Sequence, residues 1–99
     1  MRPVKLRYTP RARNDISDVY DYIAQYNPRA ATAVVRGIRS TCRLLARYPR
    51  IGRATDIKGI RALALVRYPY LIYYAIGTDE VTILHVRHGA RSAPEQSDL

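Results

Sequence analysis

Val4, Leu6 and Tyr8 alternate with Lys5 and Arg7, the period-two signature of a strand with one face buried. Thr9-Pro10 follows as an N-cap residue and a proline suited to the first helical position. Ile16, Val19, Tyr20 and Ile23 then recur at i, i+3, i+4 and i+7, an apolar stripe along one side of a helix. Asp15, Asp18 and Asp21 lie beside that stripe, with Asp15 early enough to favour the positive end of the helix dipole. Asn27-Pro28 repeats the start signal for a second helix, whose stripe runs Val34, Ile38, Thr41, Leu45 and Tyr48 before Pro49 closes it. With almost no linker between them, the two helices should form an antiparallel hairpin.

Pro49-Arg50-Ile51-Gly52-Arg53 and Lys58-Gly59 mark a loop. Residues 60–66 and 68–76 read as strands, the second rich in aromatic and β-branched side chains. Gly77-Thr78-Asp79-Glu80 is a hairpin turn, and residues 81–88 form a last strand. From Gly89 the chain turns polar, and about residues 92–99 are expected to be a loose tail. The order β-α-α-β-β-β predicts an α+β fold, with an N-terminal strand and a helical hairpin packed on one face of an antiparallel sheet. Ninety-nine residues are one domain's worth, so residues 1–99 are read as a single domain.

Charge changes the picture more than composition does. Apolar residues at 47% and charged residues at 25% exclude wholesale disorder. The longest clearly apolar run, residues 70–76, is far short of a membrane span. No apolar leader follows Met1, and Cys42 has no second cysteine to pair with, so a cytoplasmic protein is expected. The net charge of +9 comes from 17 basic against eight acidic residues, and all the basic ones except Lys5 and Lys58 are arginine. Arginine stays charged when desolvated and grips phosphate or carboxylate with two hydrogen bonds, so a polyanionic partner is implied. Arg36, Arg39, Arg43, Arg47 and Arg50 recur at helical spacing on one side of the second helix, either as a binding stripe or as a solvated face. The three aspartates of the first helix would partly neutralise that row if the two faces meet.

Tyrosine supplies all nine aromatic residues. Tyr8, Tyr20, Tyr48 and Tyr73 are read as core positions, whereas Tyr70 and Tyr74 share one face of their strand and are candidates for an exposed sheet surface flanked by Arg67 and Arg87. Cys42 reads as a small core filler and His85 as a packed or edge residue. His85, His88 and Cys42 do not have metal-ligand spacing, and neither a metal nor a cofactor is expected.

Three segments together are similar to the RelE/ParE superfamily of bacterial toxins from type II toxin–antitoxin pairs. Leu44-Leu45-Ala46-Arg47-Tyr48-Pro49-Arg50-Ile51-Gly52-Arg53 resembles that family's helix end followed by P-x-I-G-R. Arg61 opens a strand that is followed by Tyr70-Leu71-Ile72-Tyr73-Tyr74, and residues 81–91 resemble a strand closing in H-G-x-R at His88, Gly89 and Arg91. The resemblance implies a fold that agrees with the one read above. It also implies a cognate antitoxin whose acidic C-terminal segment folds on the toxin in a heteromeric complex.

Two activities are implied by the two branches. RelE-like members cut messenger RNA on the ribosome without a metal, which requires a base, an acid and cations for the phosphorane charge. ParE-like members are implied to poison DNA gyrase by trapping its cleaved-DNA complex. Beside the RelE pattern, Arg61 and Arg91 occupy basic positions, but the partner lysine falls at Leu63, the phosphate-clamping arginine at Tyr70 and the late tyrosine at Ser97. Arginine does not shuttle protons at neutral pH, so the ParE-like reading leads and no catalytic residue is expected. The ribonuclease alternative would use Arg61, His88 and Arg91.

Overall fold

The computed structural model describes residues 4–90, 94, 95 and 99. Its elements run β1 (Lys5–Tyr8), α1 (Pro10–Ala24), α2 (Pro28–Arg47), β2 (Arg53–Ala54), β3 (Arg61–Ala64), β4 (Tyr70–Ile76) and β5 (Glu80–His88). Both helix starts are those expected. Thr9 Oγ1 accepts the Ala12 N–H at 3.0 Å, Asn27 Oδ1 accepts the Ala30 N–H at 3.1 Å, and each cap is followed by proline.

The strands form one sheet in the order β1-β5-β4-β3-β2. β3, β4 and β5 are antiparallel, as expected, and the unexpected β2 extends them antiparallel, while β1 adds to β5 in parallel, so the sheet is mixed. Short turns dictate the direction of β3, β4 and β5. No short turn dictates that of β1, because the helical hairpin and three strands separate it from β5. The two-residue β2 lies inside the segment read from sequence as loop.

The helical hairpin covers one face of the sheet. Ala12 and Ile16 of α1 and Val34, Ile38, Cys42 and Leu45 of α2 pack against Ile72, Tyr74, Val81, Ile83 and Val86. Fully burying each larger apolar side chain contributes roughly 1.5–3 kcal/mol. In β5 the pairing jumps from Tyr73↔His85 to Tyr74↔Ile83, leaving Leu84 as the extra residue of a bulge. Val81 and Ile83 before the bulge, and Val86 and His88 after it, thereby share the helix-covered side, while His85 and Arg87 turn to the other.

β5 outruns its parallel neighbour, and α1 completes the exposed edge. The Thr9 N–H donates to the Ile83 carbonyl at 3.0 Å, and the Thr9 hydroxyl donates to the Leu84 carbonyl at 3.2 Å. The Val86 N–H donates to Asp15 Oδ2 at 3.0 Å. Asp15 is beyond the first helical turn, which holds no acidic residue, so its expected dipole role gives way to this edge contact.

Several tyrosines sit differently from their expected places. Tyr70 and Tyr74 are buried rather than on an open sheet surface, because their side of β4 is the one the helices and the segment at 49–52 cover. Tyr73, on the other face, is also buried, beside His85 and Arg87. Tyr20 and Tyr48, read as core, are 39% and 52% exposed. Tyr20 lies at the outer margin of the α1 stripe, and Tyr48 leaves helical geometry at the C-cap with φ −132°. Cys42 and His85 are buried as expected.

Tyr74 clamps the chain between α2 and β2. Its hydroxyl donates to the Pro49 carbonyl at 2.6 Å and accepts the Gly52 N–H at 3.0 Å. Arg61 adds Nε to the Gly52 carbonyl at 3.0 Å and Nη2 to the Arg50 carbonyl at 3.3 Å. Gly52 is required by close approach: a Cβ there would press on the Tyr74 hydroxyl and lie 2.9 Å from the Ala62 carbonyl oxygen.

A second contact joins β1 to α2, where the half-buried Tyr8 neighbours the buried Cys42 thiol. Burial pushes the Cys42 thiol from its ordinary 9.0 up to about 11, against the opposing pull of the neighbouring Tyr8 hydroxyl and of Arg39 and Arg43. Burial, and then the neighbouring thiol, push Tyr8 from 10.0 up to about 12.

These contacts set two expectations. Tyr74→Phe leaves the Gly52 N–H and the Pro49 carbonyl unpartnered and should lower unfolding stability by about 1–3 kcal/mol in urea titration; a change below about 0.5 kcal/mol would remove the clamp as a stabilising contact. The folded state holds the Cys42 and Tyr8 protons more tightly than the unfolded chain. Their contribution is therefore whole below pH 9 and is lost as pH rises through about 11 and then 12. Cys42→Ala should lower the starting stability yet flatten the urea midpoint between pH 9 and about 11; an equally steep decline in the variant would refute the assignment.

Candidate functional site

The arginine row of α2 is the most distinctive surface of the described residues. A 3.6-residue turn advances about 100° per residue, so Arg29, Arg36, Arg39, Arg43 and Arg47 fall within about 80° of the helix circumference. All five are exposed, and the buried Val34, Ile38 and Leu45 lie on the opposite side. Arg29 escapes a reading based on spacing from Arg36 onward, but a helical projection of α2 finds it. The expected Arg50 lies beyond the helix end, exposed in the turn that follows.

Aspartates do not neutralise this row. Asp15 turns to β5, where its carboxylate accepts from Arg11 Nε at 3.2 Å and lies 2.6 Å from His85 Nδ1. Asp18 and Asp21 are exposed. Among the described residues the ion pairs are Arg7–Glu80, Arg11–Asp15 and His85–Asp15, and none reaches α2. Two of the α2 guanidinium groups lie over rings instead, Arg39 at 5.5 Å from the Tyr8 centroid and Arg47 at 5.9 Å from that of Tyr48.

The end of α2 adds an apolar patch that hydrophobic periodicity had assigned partly to the core. Leu44, Tyr48 and Ile51 are 42%, 52% and 48% exposed, and Arg43, Arg47 and Arg50 flank them in sequence. An apolar patch with a cationic margin suits an amphipathic segment of opposite charge.

The other candidates are dispersed. Arg67 is exposed in the turn before β4, outside the α2 row. Arg87 lies on the sheet face opposite the helices, with Nε donating to the Tyr73 hydroxyl at 2.9 Å and Nη1 to the His88 carbonyl at 3.0 Å. His88 closes β5, where its ring meets Tyr70 edge-on at 5.3 Å and Nδ1 accepts the Ala90 N–H at 3.1 Å. That bond leaves the proton of a neutral ring on Nε2. Arg61 pairs with Tyr74 and His88 with Tyr70, on opposite flanks of β4. Four residues of strand separate these levels, about 13 Å. Arg91 lies outside the described residues.

Comparison with known proteins places this geometry in context. Residues 6–93 match the family described as the ParE toxin of the type II toxin–antitoxin system parDE. The chain is 38% identical over 91 residues to "Putative toxin Y4kP" of Sinorhizobium fredii, covering 92% of this chain and 94% of that protein. It is 36% identical over 84 residues to "Toxin RelE2" of Caulobacter vibrioides, covering 85% and 93%. Among solved structures, the chromosomal ParDE toxin–antitoxin system of P. aeruginosa superposes with a TM-score of 0.77 at 26% identity, covering 86% of this chain and 95% of that one.

Proposed function

The chain belongs to the ParE toxin family of type II toxin–antitoxin systems, and from that membership we propose that it traps DNA gyrase in its cleaved-DNA complex and is silenced by a cognate antitoxin. The observation that carries the choice against RNA cleavage is the state of Arg61. Its guanidinium is engaged with the Gly52 and Arg50 carbonyls, at the other end of β4 from His88. A cleavage site needs a proton-transfer group and a cation within reach of one phosphate, and about 13 Å along the strands separates this pair. Leu63 and Tyr70 add neither charge nor a free side chain, being partly and fully packed in the core.

The antitoxin reading rests on the surface of α2. An acidic segment that folds on its partner gains from covering Leu44, Tyr48 and Ile51 while its carboxylates meet Arg47 and Arg50. The 36% identity to a protein named "Toxin RelE2" favours RNA cleavage as the second reading. In that case His88 would be the proton-transfer group.

Purified protein incubated with gyrase, supercoiled DNA and ATP should yield linear DNA after detergent and protease, in proportion to the protein and only with gyrase present. His88→Ala should leave that product unchanged. No linear DNA, together with ribosome-dependent RNA cleavage that His88→Ala abolishes, would reverse the assignment. For the antitoxin, Tyr48→Ala and Leu44→Asp should each weaken association on the order of 2 kcal/mol by calorimetry, as central apolar contacts do. Unchanged affinity in both would move the contact elsewhere.

A further inference from the structure

We propose that the arginine face of α2 is a contact surface for the phosphate backbone of duplex DNA. Between Asp21 and Asp56 the chain holds seven arginines and no acidic residue, a span that includes the whole of α2. Five of those arginines form the exposed stripe, without an acidic partner among the described residues. From Arg29 to Arg47 the stripe runs about 27 Å at 1.5 Å per residue, most of one 34–36 Å duplex turn. Charges arrayed along a rod of that length can meet successive phosphates from one side.

The side chains between the arginines select among polyanions. Thr32, Ala33 and Ser40 are the exposed residues interleaved with Arg29, Arg36, Arg39 and Arg43. They offer hydroxyls and small surfaces but no apolar patch for a folding acidic peptide to cover. That patch lies beyond, at the helix end. Single-stranded nucleic acid is held by open rings on which bases stack. Of the rings beside the stripe, Tyr8 and Tyr48 already lie under Arg39 and Arg47, which leaves Tyr20, beside Arg29 and Arg36, as a single open ring where a strand needs successive ones. No Asn or Gln lies on the helix to read adenine edges. What remains is a surface for phosphate contact without sequence readout, where binding is driven by release of counterions.

The inference does not rest on the gyrase reading, because it is measured with DNA alone. Duplex binding by a protein inert toward gyrase would keep this inference and overturn that reading, and gyrase trapping without duplex binding would do the reverse. The full-length protein is titrated against a fluorescent 24-base-pair duplex by anisotropy across a salt series. Five phosphate contacts predict a slope of log affinity on log salt of about −4.5, so raising salt from about 50 to about 200 mM should weaken binding roughly 500-fold. The variant Arg36→Gln/Arg39→Gln/Arg43→Gln keeps helix propensity and should reduce the slope to about −1.8, leaving roughly 12-fold over the same step. The control Lys5→Gln/Arg13→Gln/Lys58→Gln removes the same charge from three exposed sites off α2 and should keep the wild-type slope. Equal slopes in the two variants, or no duplex binding at about 50 mM salt, would overturn the proposal. So would displacement of the duplex by polyglutamate, or by a single strand of the same length, at equal concentration of negative charge.

Discussion

A helix that carries five arginines and no carboxylate can lie on a sheet in only one rotational setting. An unpaired guanidinium cannot be buried without a large desolvation penalty, and α2 contains no acidic residue to offset it. Val34, Ile38, Cys42 and Leu45 must therefore face inward and the arginine stripe outward. The basic surface and the hydrophobic core are two sides of one constraint. A charge introduced on the inner side would have to turn the stripe toward the sheet.

The rest of the architecture holds α2 in that setting. The helical hairpin is tied to the sheet through β5, whose edge extends beyond the short β1. Thr9 begins α1 with one bond and continues the edge with others, and Asp15 supplies the next acceptor one and a half turns later. The bulge at Leu84 makes this possible by switching which β5 side chains face the helices. At the far end of α2, Tyr74 and Arg61 fasten the departing chain through backbone groups. The two ends of the helical hairpin, the start of α1 and the exit from α2, are thus fixed by hydrogen bonds to backbone, while the arginine face of α2 enters no ion pair among the described residues.

That division of labour bears on function. Groups that catalyse RNA cleavage must be free to meet a phosphate, and Arg61 is occupied with structure. The longest row of exposed cations among the described residues lies on α2, as a surface. Such a surface is suited to binding something large and anionic or acidic, which agrees with the proposed hold on a partner. Arginine retains its charge against any such partner across the whole physiological pH range.

Local sequence was enough for the elements that local chemistry governs. Thr9-Pro10 and Asn27-Pro28 marked the helix starts because capping acts within one turn. The stripe through Val34, Ile38 and Leu45 marked the buried side of α2, and the arginine spacing marked its outer side. The α+β order and the helical-hairpin layer followed from these. Only the tertiary structure decided which face of β4 the helices cover, because strand alternation is symmetric and both Tyr73 and Tyr74 are suited to either side. It alone paired β1 in parallel with β5, since no turn connects them, and it alone placed the bulge that turns His85 away from the side of Val81 and Ile83. It also separated Arg61 from His88, a distance set by strand register and invisible in the spacing of the two residues along the chain.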